Sequence, residues 1–369
     1  MSDHAPIEAS GMDRRALLRR SALAGGGAAL AAALAACGKS SDDDSSSSNN
    51  SNDQAASKGG AGNFPPTPKY KFVFVNHVTT NPFFTPTQYG IEDASALVNT
   101  TFQWTGSKTA DVSEMVNAMN AAISAKADGI AVCLVDQKAF NAPTDKALDA
   151  GIPVVSYNAD TTGNNRLAYI GQDLFLSGVE MGKRIVELVG SGKVGLFIAT
   201  PGSLNIQPRI DGAIDSIKKS GKDIEYKTVA TGAELNEELS RIDAWYLGNK
   251  DAKGMFAVDA GSTQAVAQTI QKYKARDNGM KGGGYDLLPK TLELLKADQI
   301  DFTIDQQAYL QGFYPVFQLF LTKMSGTLTG TGDMNTGLKF LSKDDAPIYL
   351  NNPSRFEGST KDQKVIQAA

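Results

Sequence analysis

Two aspartates stand directly after short apolar or glycine-rich runs: Asp259 after Met255-Phe256-Ala257-Val258, and Asp286 after Gly283-Gly284-Tyr285. Two acids facing one crevice meet the requirement of glycoside hydrolysis, one acting as general acid and the other as base or nucleophile. The same two carboxylates can instead accept hydrogen bonds from hydroxyl groups with no reaction at all. The other chemistry-bearing residues are few. Of 2 histidines, His4 is near the amino terminus and His77 follows the run Phe72-Val73-Phe74-Val75. His77 has no Cys or His companion for a metal site, so it faces either a ligand or the core. Cys133, inside Ile130-Ala131-Val132-Cys133-Leu134-Val135, reads as a small core residue, which leaves no thiolate metal site and no redox pair. Arg209 offers a bidentate donor or a structural ion pair. Gly282-Gly283-Gly284 lacks the spacing of a phosphate cradle. No metal and no cofactor are expected.

A further cluster is Asn81-Pro82-Phe83-Phe84, after the first apolar run. An amide beside two phenyl rings suits a ligand with hydroxyls on its rim and C–H groups on its face, such as a sugar or cyclic polyol. The plainer alternative is that Asn81 caps a turn and the rings are core. Pro82 suggests that a helix begins at once; Thr85-Pro86 offers a second start that would leave the rings on a turn.

The elements that must position these residues alternate along the chain. Continuous apolar runs at Phe72 to Val75, Ile130 to Val135 and Ile152 to Val155, with a weaker one near Thr101 to Trp104, predict strands buried on both faces, as in parallel sheets. Between them lie a helix from about Thr87 to Val98, one opened by Asp111 and Glu114 at capping-box spacing, and one from Lys138 to Ala150 interrupted by Pro143 and stopped at Gly151. After Gln172 the rhythm restarts with helices 174–189, 207–219, 235–247 and 262–274 and strands 194–198, 224–229, 255–258 and one ending at Asp286. Strand 300–304 and a helix from Tyr309 to Met324 follow. Two such series in tandem predict an α/β protein of two Rossmann-like, doubly wound parallel-sheet domains. In such sheets ligands sit at the carboxyl ends of strands, where His77, Asp259 and Asp286 fall.

The chain has 369 residues, 41% hydrophobic content and a formal charge of −4, which suits a soluble two-domain protein and excludes nucleic acid as a partner. Its amino-terminal part is different in kind. Arg14-Arg15-Ala16-Leu17-Leu18-Arg19-Arg20 followed by a small-residue apolar run to Ala36 has the layout of an export signal and resembles a twin-arginine signal, with Asp13 where Ser or Thr is usual. Leu34-Ala35-Ala36-Cys37 resembles the bacterial lipobox, which makes Cys37 the expected lipidation site. Residues 38–68 are Ser, Asn, Asp and Gly with few bulky apolar groups, an expected disordered tether.

The body resembles the periplasmic sugar-binding proteins of the ribose, galactose and xylose type, the extracytoplasmic receptors of ABC importers. The residues that carry this are Asn81 to Phe84, Ala127-Asp128-Gly129-Ile130, Gly151-Ile152-Pro153-Val154, Pro208-Arg209-Ile210-Asp211-Gly212, Gly284-Tyr285-Asp286 and Thr303-Ile304-Asp305-Gln306, in that order, from about Lys69 to Met324. The resemblance implies a multi-stranded hinge, one lobe of residues 69–172 plus 306–332 and a second of 173–305 plus 333–369. It implies ligand contacts from His77, Asn81, Phe83, Phe84, Asn158, Arg209, Asp259, Tyr285, Asp286 and Gln306. It also implies binding instead of catalysis: a monomeric, lipid-anchored extracytoplasmic protein that delivers a neutral monosaccharide or polyol to an ABC permease. The alternative within the fold is a receptor presenting a sugar or furanose signal to a membrane sensor. Ala159 and Asp211 depart from the arginines of ribose binders, and no second-lobe aromatic is evident near Ala233, so a ligand other than ribose is implied.

Overall fold

The computed structural model describes residues 64–327 and 332–364. The export-signal segment, Cys37 and the tether as far as residue 63 lie outside them. The first series runs β1 (Lys71–Asn76), α1 (Thr85–Leu97), β2 (Thr101–Gly106), α2 (Val112–Ser124), β3 (Gly129–Val132), α3 (Asn141–Asp149), β4 (Val154–Tyr157) and β5 (Tyr169–Gly171). The second runs α4 (Leu174–Val189), β6 (Gly192–Ile198), α5 (Gln207–Lys219), β7 (Ile224–Ala230), α6 (Leu235–Gly248), β8 (Gly254–Ala257), α7 (Ala260–Lys272), β9 (Lys281–Tyr285), α8 (Pro289–Lys296) and β10 (Phe302–Asp305). The chain closes with α9 (Leu310–Ser325), β11 (Met334–Asn335), β12 (Lys339–Leu341) and α10 (Ala346–Asn351).

These strands form two six-stranded sheets, ordered β11-β5-β4-β3-β1-β2 and β12-β10-β9-β8-β6-β7. Every pairing is parallel except that of β10 with the edge strand β12. Both are doubly wound: strand order reverses beside β1 in the first and beside β6 in the second, which opens a crevice at the carboxyl ends there. The runs read from the sequence as buried strands are buried, with Phe72, Phe74, Val75, Ile130, Ala131, Val154 and Val155 at 0% exposure in the core of the first lobe. Met255, Ala257, Val194 and Leu196 hold the corresponding places in the second.

Local differences from the expected boundaries have simple causes. The third strand ends at Val132, and Cys133 to Val135 turn away as a buried loop at the crevice. Pro143 does not interrupt α3; the helix begins at Asn141, so the proline sits in the first turn, where its missing N–H has no partner to lose. Asp111 caps α2, its carboxylate accepting the N–H of Ser113 (2.7 Å) and Glu114 (3.1 Å).

The chain passes between lobes at residues 172–173, 306–309 and 336–338. Residues 333–369 do not all remain with the second sheet. β11 joins the edge of the first, because Asp333 accepts the Tyr169 N–H (2.8 Å) and pairs with Arg166 (2.7 Å). Beyond α10, which packs on α8, Arg355 returns to the first lobe, pairs with Glu92 and Asp93 and lies 4.1 Å over the Tyr89 ring.

Arg209 is positioned by a close helix pair. α4 and α5 approach through Gly178 and Gly212; a Cβ on Gly178 would lie 2.2 Å from the Arg209 carbonyl oxygen, and one on Gly212 2.3 Å from that of Phe175. Backbone cannot yield as a flexible side chain does. Gly178→Val is therefore expected to cost about 1–3 kcal/mol of stability; thermal unfolding measures it, and an unchanged midpoint would mean that the helices can separate freely.

Candidate functional site

A cleft of about 560 Å3, part of it open to solvent, lies between the lobes. The first lobe lines it with His77, Asn81, Phe83, Phe84 and Asn158 from the ends of β1 and β4; the second with Asn205, Arg209, Glu238, Asp259 and Asp286; and Gln306 lies at the hinge. Nine of the ten contacts expected from the sequence thus line one cavity. Tyr285 is the exception. It is fully buried, its hydroxyl 2.9 Å from Ser177 Oγ and its ring 4.2 Å beneath the Arg209 guanidinium, so it supports Arg209 and does not face the cleft.

Asn158 and Asp286 occupy matching places at the ends of β4 and β9, both with positive φ (63° and 77°). Asn and Asp tolerate this left-handed backbone better than most residues. Between them runs a chain of buried amides. Asn158 Nδ2 donates to Gln311 Oε1 (3.1 Å), Gln311 Nε2 to Gln306 Oε1 (3.1 Å), and Gln306 Nε2 to Asp286 Oδ1 (2.7 Å). Thr336 Oγ1 and Gln311 Nε2 also reach the Gln306 carbonyl oxygen (2.8 and 3.2 Å). The side chains at the end of each sheet are thereby held in register across the hinge.

Arg209 is 2% exposed and makes no ion pair among the described residues. Nη1 donates to the Val258 carbonyl (2.9 Å) and Nη2 to Gln172 Oε1 (3.2 Å), while Nε is buried without a partner. His77 is neutral at pH 7, since burial lowers its pKa to about 4. Asn205 Nδ2 lies 3.1 Å from His77 Nε2, and the Asn205 oxygen accepts from Ser203, so the amide nitrogen donates to the ring. The ring proton then sits on Nδ1, which has no partner among the described residues. With the Leu204 N–H donated to the Val135 carbonyl (3.0 Å), this bridges the lobes on the cleft's outer side.

Asn81 does cap the turn Pro82–Phe84, Oδ1 accepting the Phe83 N–H (2.9 Å), and it lines the cleft as well. α1 begins at Thr85, so both rings lie on or beside the turn. They meet nearly at right angles (78°, centroids 4.7 Å apart), so one flat ligand cannot stack on both. Phe84 is 1% exposed, packed edgewise on His77 and tilted against Trp104; half-buried Phe83 is the available face.

Asp259 caps α7, its oxygens accepting the N–H groups of Ser262 (2.9 Å) and Ala199 (3.0 Å). Glu238, beside it, was not singled out from the sequence. The signal was present: it falls on the buried face of α6 with Ile242, Trp245 and Tyr246, an acid at an apolar position. Asn205 and Ser203, on the loop before α5, carried no such signal. Among the described residues no cluster of three or more His, Cys, Asp or Glu is placed to hold a metal ion, and no helix is long and apolar enough to cross a membrane.

Fold and cleft together define a two-lobed α/β protein whose site lies between doubly wound lobes. The chain belongs to the periplasmic binding protein domain family, matched over residues 72–321. It is 49% identical over 314 residues to the xylose/arabinose-binding protein XylF of Sulfolobus acidocaldarius, over 81% of this chain and 77% of that protein. It shares its fold with an ABC transporter solute-binding protein from Burkholderia graminis in complex with D-arabinose (TM-score 0.71, 24% identity, 76% of this chain and 98% of that one). A chain of the XylFII–LytSN complex is similar to the same degree (TM-score 0.70, 24% identity, 76% and 100%).

Burial raises the Asp286 carboxyl from 3.8 to about 7, against the pull of Arg209 and the Gln306 hydrogen bond. The folded state therefore holds this proton more tightly than the unfolded chain, and stability is lost as pH rises from about 4 to about 7. Asp286→Asn keeps an acceptor for Gln306 and removes the titration. It is expected to be more stable than the wild type by roughly 2–4 kcal/mol at pH 8 and equal near pH 3.5, measured by denaturant unfolding. A difference independent of pH would mean that Asp286 does not titrate in this window.

Proposed function

We propose that the protein is an extracytoplasmic, lipid-anchored receptor that binds a neutral monosaccharide or polyol in the interlobe cleft and delivers it to an ABC permease. The observation that carries the ligand class is a set of buried polar atoms, on residues of one lining, without partners among the described residues: His77 Nδ1, Asn158 Oδ1 and Arg209 Nε. Two are donors and one an acceptor, and leaving such groups dry and unpaired costs about 1–3 kcal/mol each. A polyhydroxylated ring with a C–H face against Phe83 satisfies donors and acceptors alike. A charged ligand is disfavoured, because Arg209 is already engaged on two sides and burial raises the cleft acids toward their neutral forms. The xylose and arabinose in the name of the 49% identical relative put pentoses first among candidates.

The mechanism is closure by differential contact. The lining comes from both lobes, so a ligand bridging His77, Asn158 and Phe83 to Arg209, Asp259 and Asp286 stabilises the closed arrangement by whatever affinity it has for that form above the open one. The His77–Asn205 and Val135–Leu204 bridges add protein contacts to the same closed state. No step of bond breaking is required of the acids. A second reading, presentation of the bound sugar to a partner protein, is kept because a chain of this fold is found in complex with LytSN.

Residues 64–369 should gain thermal stability with at least one member of a panel of pentoses, hexoses, inositols and alditols. Ligand at about 100 times Kd contributes about 2.7 kcal/mol. A panel with no response sinks the sugar reading. With the responding sugar, Asn158→Ala should weaken binding by about 1–3 kcal/mol by calorimetry. Cys37→Ala should move the full chain from the membrane to the soluble fraction; retention in membranes would contradict a lipid anchor.

A further inference from the structure

Glu238 lies on the second-lobe wall, 3% exposed, in the first turns of α6. It packs so closely on the start of α7 that a Cβ at Gly261 would come within 1.7 Å of its Oε2. Its neighbour there is Asp259, which already accepts two backbone N–H groups at the amino end of α7. Among the described residues no cation compensates the two carboxyls. Arg241, on the same helix, pairs with Glu237, and Arg209 is held by Val258, Gln172 and the Tyr285 ring. The remaining ionisable groups that face this wall are Glu234 at the head of α6, Asp286 from β9, and neutral His77 from the first lobe. Two carboxylates so placed, away from water, cannot both ionise near neutral pH and so keep one proton between them. The backbone donors and the helix terminus favour charge on Asp259, which leaves the proton on Glu238. Burial acts in the same direction, raising the Glu238 carboxyl far above the usual range.

We propose that Glu238 is a further ligand-recognition residue, that it shares a single proton with Asp259, and that this pair selects neutral polyhydroxy ligands against their carboxylated or phosphorylated counterparts. The inference rests on the reading of the cleft as a sugar site and adds to it a residue, a protonation state and an exclusion rule. Neutral hydroxyls meet a wall bearing both an acidic O–H and carboxyl oxygens. An anionic sugar brings a second negative charge to the same place. When the shared proton leaves in alkali, two like charges face each other, and a bound ligand then covers a doubly charged wall from water; affinity for the neutral sugar falls.

Calorimetry with the first sugar that stabilises the protein tests this, with wild type, Glu238→Gln and Glu238→Ala titrated from pH 6 to pH 10. Glu238→Gln imitates the protonated acid, so its affinity should stay within about threefold of wild type at pH 7 and remain level into alkali. Wild type should lose about tenfold or more by pH 10, and Glu238→Ala about tenfold at pH 7. The uronic acid of the same sugar should bind wild type at least about 100-fold more weakly at pH 7. Without ligand, the thermal midpoint of Glu238→Gln should exceed that of wild type by a margin that widens as pH rises, since the buried acid resists deprotonation only in the folded state. A level wild-type profile, the same alkaline loss in Glu238→Gln, or full affinity in Glu238→Ala overturns the inference and leaves sugar binding intact. Failure of every neutral sugar to bind overturns both.

Discussion

The constraint on which the rest depends is that polar groups buried at the meeting of two lobes must find partners there. The amides of Asn158, Gln311 and Gln306 and the Asp286 carboxyl satisfy it by bonding in series, from the end of one sheet through the hinge to the end of the other. Each link is an ordinary hydrogen bond of modest net value; breaking one leaves a dry donor or acceptor, which is far more costly. The register between the lobes follows from that asymmetry. The left-handed backbone at Asn158 and Asp286 belongs to the same arrangement, since it stands where each strand gives way to the cleft.

Burial also decides the electrical character of the cleft. His77 is kept neutral by desolvation, and desolvation raises the carboxyls of Asp286, Asp259 and Glu238. The lining therefore carries several ionisable side chains but little net charge, which is the environment a neutral, hydroxyl-rich ligand needs. What stays unsatisfied is small and specific: one imidazole N–H, one amide oxygen and one guanidinium N–H. In the proposed sugar site these positions set the donors and acceptor offered to a ligand more sharply than the size of the cavity does.

Positioning is achieved by helices as much as by strands. Arg209 is aimed by Gln172 from the first hinge crossing, by the Val258 carbonyl at the end of β8, and by the face of Tyr285. It can sit there because Gly178 and Gly212 let α4 and α5 touch backbone to backbone. The resemblance put Tyr285 at the ligand together with Asp286, but successive residues of a strand point to opposite faces, and only one of the two can face the cleft directly. The same alternation explains why a correct strand boundary does not by itself yield a correct contact.

Much of this was legible in the sequence. Apolar runs such as Phe72 to Val75, helical spacing behind Asp111, and small or polar residues at strand ends determined the doubly wound fold and put His77, Asp259 and Asp286 at strand ends, because strand and helix periods are local properties of the chain; the resemblance to sugar-binding proteins supplied the rest of the nine expected residues that line one cavity. The turn at Asn81 to Phe84 was also foreseen, including both of its possible helix starts. Only the tertiary structure decided that Phe83 and Phe84 stand nearly perpendicular, that Met334 and Asn335 join the first sheet, that Arg209 rests on Tyr285, and that Glu238 meets the start of α7 beside Asp259. Each of these joins residues far apart in the chain or depends on which way a side chain turns, and neither leaves a period in the sequence. The protonation of the cleft acids belongs with them, since it is set by how much water the assembled lobes exclude.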